Sequence, residues 1–289
     1  MKYFSAEELH TIITPEIAVE ASKEAFSKYS SGDIKSADRQ VLYVEGNWWG
    51  VMTAFDKSYF ITKIVNVIEN STPPINSLIV LFSAISGKPI AVFDGNVITG
   101  YRTAGASVLS VEMCWGKKVD LLGIIGAGTQ AKYHAKLALS YLQVDRLFYA
   151  SRREHPEFER EFGAERYELP KLLSSSQVIL SLTSTKSPVI LGKYLKDDFH
   201  AVSIGAHTPD AREIDDDALL KVKTFVVDAV DAVSKESGDY IYGLSKGLIR
   251  NVAEIGKLRN GVERPSLFKS VGIATQDLAL VKKAYEIGA

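Results

Sequence analysis

Apolar residues occur in two different arrangements along the chain. From Val119 to about Ser270, short continuous apolar runs alternate with helical patterns, which is typical of parallel strands buried between helices. We expect these strands to begin at residues 119, 146, 177, 199 and 224. This order predicts an α/β domain over residues 118–271, in which helices cover both faces of a doubly wound parallel sheet.

The first part of the chain follows another pattern. A helical pattern with a break near Pro15 is followed by five strand-like runs with turn residues between them. An amphipathic helix over residues 274–289 ends the chain and has an apolar face that needs a partner. We therefore predict a smaller, discontinuous α+β domain made of residues 1–117 and 272–289, with a cleft between the two domains.

The sequence GAGTQA follows the first strand of the α/β domain, precedes a helix, and is a variant of the dinucleotide-binding loop of Rossmann domains. Gly126 allows the tight turn, Gly128 lacks the Cβ that would block a pyrophosphate, and Ala131 permits close packing of helix and strand. Backbone N–H groups at the helix start, including those of Thr129 and Gln130, would point at the phosphates. The pattern predicts nucleotide binding, and the alternative is a purely structural turn.

Three residues at the end of the next strand bear on which nucleotide binds. NAD-specific sites usually place an acid there for the ribose 2′-OH, whereas this chain has Ser151, Arg152 and Arg153. A hydroxyl and two guanidinium groups suit a 2′-phosphate, which an acid would repel. The residues favour NADP, with NAD as the second choice. The alternative is that the arginines are simply solvated.

Composition excludes several other classes of function. The 289 residues carry a net charge of −1, which gives no electrostatic reason to bind nucleic acid or an anionic membrane. The start of the chain lacks the apolar core of a signal peptide, and no apolar run reaches membrane-spanning length. Cys114, the single cysteine, lies in an apolar helical pattern, so we expect a buried thiol, no internal disulfide and no metal site. We expect a cytoplasmic protein with a small-molecule substrate.

A lysine interrupts an otherwise apolar strand face. In the run YFITKIVNVI, Lys63 shares its face with apolar and aromatic residues: Tyr59, Ile61, Val65 and Val67. A lysine in such surroundings is costly unless it is paired or lines a cavity. Burial lowers its pKa toward the range that suits proton transfer. The alternative is an edge lysine that protects the sheet from aggregation.

Two arginines are candidates for binding a substrate carboxylate. Arg39 follows a glycine turn, and Arg102 lies where we expect a strand to pass into a helix, whose first-turn N–H groups also attract anions. A pair of guanidinium groups near a cleft suits a carboxylate, and Arg102 and Thr103 are also candidates for contact with the cofactor. Taken alone, each arginine is more often a surface residue.

Three further polar residues occupy positions of interest. His207 follows the strand that begins at residue 199, at the ligand-facing edge of the sheet, and is a candidate acid or base. We expect His134, on the helix after the glycine loop, to be structural or close to the cofactor. Asp228 follows the strand that begins at residue 224 and is equally well explained as a loop cap.

Four motifs are spread over nearly the whole chain, at residues 87–95 running on to 102–107, 126–131, 205–215 and 236–239. Together they resemble the ornithine cyclodeaminase/mu-crystallin family, which also contains archaeal-type alanine dehydrogenases and ketimine reductases. The resemblance implies a homodimer whose first domain supplies the substrate site and the subunit interface. It also implies that Arg39, Lys63 and Arg102 bind the substrate carboxylate and that Lys63 is the proton-transfer group.

Two positions depart from the cyclodeaminase pattern of that family. Cyclodeaminases carry an aspartate where this chain has His207, and a glutamate two residues before Met52, where it has Gly50. Without these acids, we predict an NAD(P)-dependent oxidoreductase acting at the Cα of a small amino or imino acid, of the alanine dehydrogenase or ketimine (cyclic imine) reductase type. His207 would help Lys63 to handle the proton. The alternatives are an ornithine cyclodeaminase and a mu-crystallin-like NADPH-dependent binding protein.

Overall fold

The computed structural model describes residues 1–68 and 71–289. These residues form two compact units. The first unit contains Met1–Ala106 and Gly272–Ala289, and the second contains Ser107–Val271.

The division between the units falls inside a helix, α3 (Gly95–Cys114), after residue 106. The sequence places this boundary after residue 117, at the end of the apolar helical pattern, because nothing in a continuous helix marks the change of unit. The substrate and interface roles of the first unit stay predictions.

A mixed sheet forms the centre of the first unit. Its strands are β1 (Lys2–Phe4), β2 (Lys35–Ser36), β3 (Gln40–Val44), β4 (Asn47–Phe55), β5 (Tyr59–Val67), β6 (Ile75–Ser83) and β7 (Pro89–Asp94). They follow the order β1-β7-β6-β5-β4-β2, and β3 also pairs with β4. The strand-like runs predict a mixed or an antiparallel sheet; strand β1 is parallel to β7 and the other pairs are antiparallel, so the sheet is mixed.

Helices α1 (Ala6–Ile12), α2 (Pro15–Ser31) and α10 (Ala274–Gly288) also belong to this unit. The predicted break between α1 and α2 is confirmed, because Thr14 caps α2 and Pro15 begins it. Helix α10 packs against α2, β4 and β5, so the end of the chain returns to the first unit as the amphipathic pattern predicts.

Lys63 lies in the interior of the sheet. Its strand, β5, is paired on one side with β4 and on the other with β6, where Lys63 is opposite Met52 and Ile79 respectively. The interpretation of Lys63 as a guard of a sheet edge is therefore wrong.

Helix α3 begins earlier than the sequence suggests. The carboxylate of Asp94 accepts hydrogen bonds from the backbone N–H groups of Asn96 (2.9 Å) and Val97 (3.1 Å) and starts the helix. Gly105 has a packing role, because a Cβ at this position would lie 2.5 Å from the carbonyl oxygen of Ala18. Arg102 consequently lies about two turns inside α3, and the prediction that first-turn N–H groups bind anions beside it is wrong.

The second unit has a parallel sheet with the order β10-β9-β8-β11-β12-β15-β13-β14. Its strands are β8 (Lys118–Ile125), β9 (Gln143–Ala150), β10 (Glu165–Arg166), β11 (Val178–Ser181), β12 (His200–Ser203), β13 (Thr224–Val227), β14 (Val252–Glu254) and β15 (Ser266–Lys269). The connecting helices are α4 (Thr129–Tyr141), α5 (Pro156–Phe162), α6 (Leu169–Ser175), α7 (Asp216–Lys221), α8 (Val230–Glu236) and α9 (Gly238–Ser245). The predicted doubly wound Rossmann fold is confirmed.

Two smaller expectations concern the cysteine and the membrane. Cys114 is buried and free, as predicted, and burial raises the pKa of its thiol to about 12. Within the described part of the chain, no helix has the length and apolar character needed to cross a bilayer. The cytoplasmic location stays a prediction.

Candidate active site

Lys63 is buried against helix α10. Its side chain is 1% exposed, and its ammonium group donates to the carboxylate Oδ1 of Asp277 (2.9 Å) and to the hydroxyl of Thr99 (2.6 Å). These two bonds leave one of its three N–H groups without an acceptor among the described residues. Burial lowers the pKa of Lys63 to about 8, although the Asp277 carboxylate acts in the opposite direction.

Arg102 and Arg39 meet the same segment at the start of α10. The Arg102 guanidinium donates to Oε1 of Gln276 (3.3 Å), and its Nε lies 3.5 Å from Oδ1 of Asp277. Arg39 donates to the carbonyl oxygen of Gly272 (2.9 Å). The residues predicted to bind a carboxylate are thus brought together in the first unit, around residues 272–277.

Several buried polar atoms of Arg102 and of residues 275–277 have no hydrogen-bond partner among the described residues. They are Nε of Arg102, Oγ1 of Thr275, Nε2 of Gln276 and Oδ2 of Asp277. Buried polar atoms in native proteins are nearly always hydrogen-bonded, so a group of exceptions indicates a site that binds a polar ligand.

Asp277, Gln276 and Thr99 were missed by the sequence analysis. Within an amphipathic helix, a polar residue normally faces solvent, and only its burial in the folded unit distinguishes Asp277 from such a residue. A sequence signal did exist, because Thr275, Gln276 and Asp277 are consecutive and one of them had to face the apolar side.

The glycine loop lies between β8 and α4, as predicted. Gly126 has a φ of 114°, and a Cβ there would lie 2.9 Å from the carbonyl oxygen of Leu182, so the turn requires glycine. Gly128 is the N-cap of α4 without a capping side chain, and a Cβ at this position would meet nothing within 4 Å. Open space in front of uncapped first-turn N–H groups fits a pyrophosphate, which Thr129 and Gln130 would contact through their backbone.

Two arginines, Arg152 and Arg153, follow β9. Arg152 and Arg153 are exposed and form no ion pair among the residues that the structure describes. The Ser151 hydroxyl donates to the carbonyl oxygen of Arg153, and Arg166 donates to the carbonyl oxygen of Ser151 (3.3 Å). Glu154, the nearest acid in sequence, lies 3.7 Å from Arg166. Two guanidinium groups at this strand end are thus available to a phosphate.

The remaining candidates have separate positions. His207 is exposed on the loop after β12, where its Nδ1 donates to the carbonyl oxygen of Gly205 (3.0 Å). His134 is fully buried between Ser107 (2.9 Å) and the carbonyl oxygen of Gln130 (2.7 Å), which supports its structural interpretation. Lys63 belongs to the first unit and His207 to the second, so their cooperation stays a prediction.

Two other residues proposed from sequence, Asp228 and Thr103, form hydrogen bonds within the protein. Asp228 accepts hydrogen bonds from Ala229 (2.9 Å), Ser270 (2.8 Å) and Val271 (2.9 Å), in agreement with its interpretation as a loop cap. The hydroxyl of Thr103 donates to the carbonyl oxygen of Thr99 (2.6 Å), and its contact with the cofactor stays a prediction.

A buried ionic cluster supports the loop that carries His207. Lys269 lies 3.2 Å from the carboxylate of Asp239 and 3.7 Å from that of Glu213, and all three residues are fully buried. The same oxygen of Glu213, Oε2, accepts hydrogen bonds from the backbone N–H groups of Gly205 (2.8 Å) and Ala206 (3.1 Å). Glu213 therefore fixes the backbone at the carboxyl end of β12.

Comparison with known proteins places these features in a family. The model of the ornithine cyclodeaminase/mu-crystallin family matches residues 3–288. The rat (Rattus norvegicus) ketimine reductase mu-crystallin is 32% identical over 287 residues, which cover 93% of this chain and 90% of the rat protein.

Two solved structures have the same fold over almost the whole chain. The Δ1-pyrroline-2-carboxylate reductase of Thermococcus litoralis, in complex with NADH and L-proline, has a TM-score of 0.91 at 26% identity, covering 99% of this chain and 97% of that one. An archaeal alanine dehydrogenase dimer with bound NAD has a TM-score of 0.90 at 26% identity, covering 99% and 95%. These relatives are named oxidoreductases, the class predicted from the sequence. The chain belongs to the ornithine cyclodeaminase/mu-crystallin family.

Proposed function

We propose that this chain is an NAD(P)-dependent oxidoreductase that acts at the Cα of a small amino or imino acid. The observation that carries the proposal is the buried cluster of Lys63, Arg102 and Asp277, which combines cations, a lysine of lowered pKa and polar atoms without protein partners. Such a cluster has both the charge to bind a carboxylate and a group able to transfer a proton near neutral pH.

In the reductive direction, Arg39, Arg102 and Lys63 each have a defined task. Arg39 and Arg102 hold the substrate carboxylate, and this orients the C=N bond of the imine. Lys63, in its ammonium form, donates a proton to the imine nitrogen through the N–H group that lacks a protein acceptor. The lysine is then left as a neutral amine, which its burial favours.

The second unit has the features of a dinucleotide site. Gly126 permits the turn and Gly128 leaves room for the pyrophosphate, which the first-turn N–H groups of Thr129 and Gln130 would hold. NAD(P)H, when bound, supplies the hydride for reduction at Cα. We further propose NADP as the preferred form, because Arg152 and Arg153 are not neutralised by acids. The related structures named above contain NADH or NAD, so NAD is the second choice.

The neighbourhood of Gly50 supports a dehydrogenase or imine reductase over a cyclodeaminase. A Cβ at position 50 would lie 2.5 Å from the indole ring of Trp48, so the ring occupies the space of the cyclodeaminase glutamate. The guanidinium of Arg39 lies 6.0 Å from the centre of the same ring. Trp48 therefore gives this part of the site an apolar wall where an acid would accept a second amino group.

We also propose a homodimer that uses the first unit. Apolar side chains are exposed on the sheet face opposite α10, where Ile64 (45% exposed) is paired with Leu78 (44% exposed). Strand β3 adds Leu42, which is paired with Trp49 on the same face and is 61% exposed. Neighbouring exposed apolar residues are typical of an interface that is covered in the assembled protein.

Lys63→Met tests the proposed reaction, because it removes the proton donor and keeps the aliphatic stem. Imine reduction should fall by about 10²- to 10⁴-fold, while cofactor binding, measured by nucleotide fluorescence, should be retained. The matched control is Lys57→Met, an exposed lysine in the turn before the same strand, which should leave the rate unchanged. A Lys63→Met protein that reduces imines at the wild-type rate contradicts the proposal.

A further inference from the structure

We propose that Asp277 determines the choice of an imino acid over a keto acid, because its free carboxylate oxygen accepts a hydrogen bond from the substrate nitrogen. This inference rests on the proposed function and assigns one contact within that site.

The two oxygens of the Asp277 carboxylate have different environments. Oδ1 accepts the hydrogen bond of Lys63 at 2.9 Å and lies 3.5 Å from Nε of Arg102. Oδ2 is buried and has no hydrogen-bond partner among the described residues, and the whole side chain is 0% exposed. A buried carboxylate oxygen without a hydrogen bond lowers the stability of the protein. We therefore infer that a ligand donates a hydrogen bond to Oδ2.

The other charged groups of the cluster cannot take this role. Lys63, Arg102 and Arg39 carry donors only, which suit the substrate carboxylate. A protonated imine presents an N–H group with positive charge, and this group needs an acceptor, preferably an anion. Asp277 is the carboxylate within reach of Lys63 and Arg102, and Oδ2 is its unoccupied acceptor.

The proton count is consistent with this contact. One N–H bond of the Lys63 ammonium breaks, and a new N–H bond forms on the imine nitrogen, which becomes positively charged. The Asp277 carboxylate stabilises this iminium, the form that is most readily reduced at carbon. A keto acid of the same shape would turn an oxygen lone pair toward Oδ2 and would be repelled.

Two planar carboxylates of almost identical shape allow the contribution of this contact to binding to be measured apart from that of the rest of the site. Pyrrole-2-carboxylate carries a ring N–H next to the carbon that bears its carboxylate, and furan-2-carboxylate has a ring oxygen there instead. Their dissociation constants would be measured by calorimetry on the wild type, on Asp277→Asn and on Thr275→Val, with NADPH saturating. Thr275→Val is the matched control, since the Thr275 hydroxyl is the neighbouring buried group without a partner.

We expect the wild type to bind the pyrrole at least about tenfold more tightly than the furan, as a hydrogen bond to a charged group implies. The preference should disappear in Asp277→Asn and persist in Thr275→Val. Equal binding of both compounds by the wild type, or a preference that survives in Asp277→Asn, overturns the inference even if the variant folds poorly. Failure of the wild type to bind either carboxylate would instead contradict the proposed function.

Discussion

At the scale of single residues, burial and the neighbouring carboxylate shift the pKa of Lys63 in opposite directions. Burial lowers its pKa to about 8, and the Asp277 carboxylate limits this decrease. A lysine that donates a proton must be charged, so kcat/KM for imine reduction should fall as the pH rises through about 8. In Asp277→Asn the upward influence on the pKa of Lys63 is lost, and the fall should occur at lower pH.

This comparison requires pH–rate profiles of the two proteins with one imine substrate. Titration of the substrate affects both profiles equally, so the displacement between them reports on the enzyme. Profiles that fall at the same pH would show that Asp277 does not act on the proton donor.

The proposed preference for NADP depends on Arg152 and Arg153. Replacing both with Ala would remove two charge-assisted hydrogen bonds to the 2′-phosphate and should weaken NADPH binding by about tenfold or more. NADH binding should change little, because NADH lacks that phosphate. Fluorescence titration with both nucleotides measures this, and an equal loss for both would mean that the arginines have no part in the selection.

Sequence predicted the cations of the site better than its anion. Lys63 was visible because a charged residue interrupts an apolar strand face, whereas Asp277 lies in a helix where polar residues are ordinary. Its partners are distant in sequence, since Lys63 and Asp277 are brought together only when α10 packs on β5. The consecutive polar residues 275–277 show that one of them is buried, but its partner on β5 is a property of the fold.

At the scale of elements, the buried cluster of Lys269, Glu213 and Asp239 joins strand β15 to the loop after β12. Lys269→Met keeps the volume of the side chain but removes the buried counter-charge of Glu213 and Asp239, and Asp239 then keeps its ion pair with Arg212 at 4.0 Å. We expect the free energy of unfolding to fall by about 3–5 kcal/mol, measured by urea denaturation.

The control for this substitution is Lys186→Met. Lys186 forms an ion pair with Asp210 in which both side chains are largely exposed, so its loss should change stability by less than about 1 kcal/mol. If both variants had the same free energy of unfolding, the buried cluster would not contribute to the stability of this part of the sheet.

Strand β15 also illustrates what the sequence cannot show about elements. Its four residues, SLFK, have neither a long apolar run nor alternation, yet they pair with β12 and β13 in the middle of the sheet. The start of α3 was missed for a related reason, because Gly100 suggests a turn and the helical pattern is clear only from Thr103 onward. Gly105 is required where α3 passes the backbone of Ala18.

At the scale of the whole molecule, the exposed apolar pair of Ile64 and Leu78 bears on assembly. Replacing both with Glu should convert a dimer into a monomer, because charges would be buried without partners in the interface. Light scattering coupled to size-exclusion chromatography gives the mass. Leu220→Glu is the control, since Leu220 is 52% exposed in the second unit. An unchanged dimer in the double variant would place the interface elsewhere.

The resemblance, which extends over nearly the whole chain, predicted the family and the fold correctly. We propose that the substrate within the family is determined by a few side chains around α10 and β4. The most direct test of the central claim is NADPH and NADH consumption with Δ1-pyrroline-2-carboxylate, Δ1-piperideine-2-carboxylate and pyruvate plus ammonia, with ammonia release from ornithine measured in parallel. We predict net consumption of the reduced cofactor with at least one of these substrates and no ammonia from ornithine. Ammonia release from ornithine without net change in the cofactor would contradict this prediction and identify a cyclodeaminase.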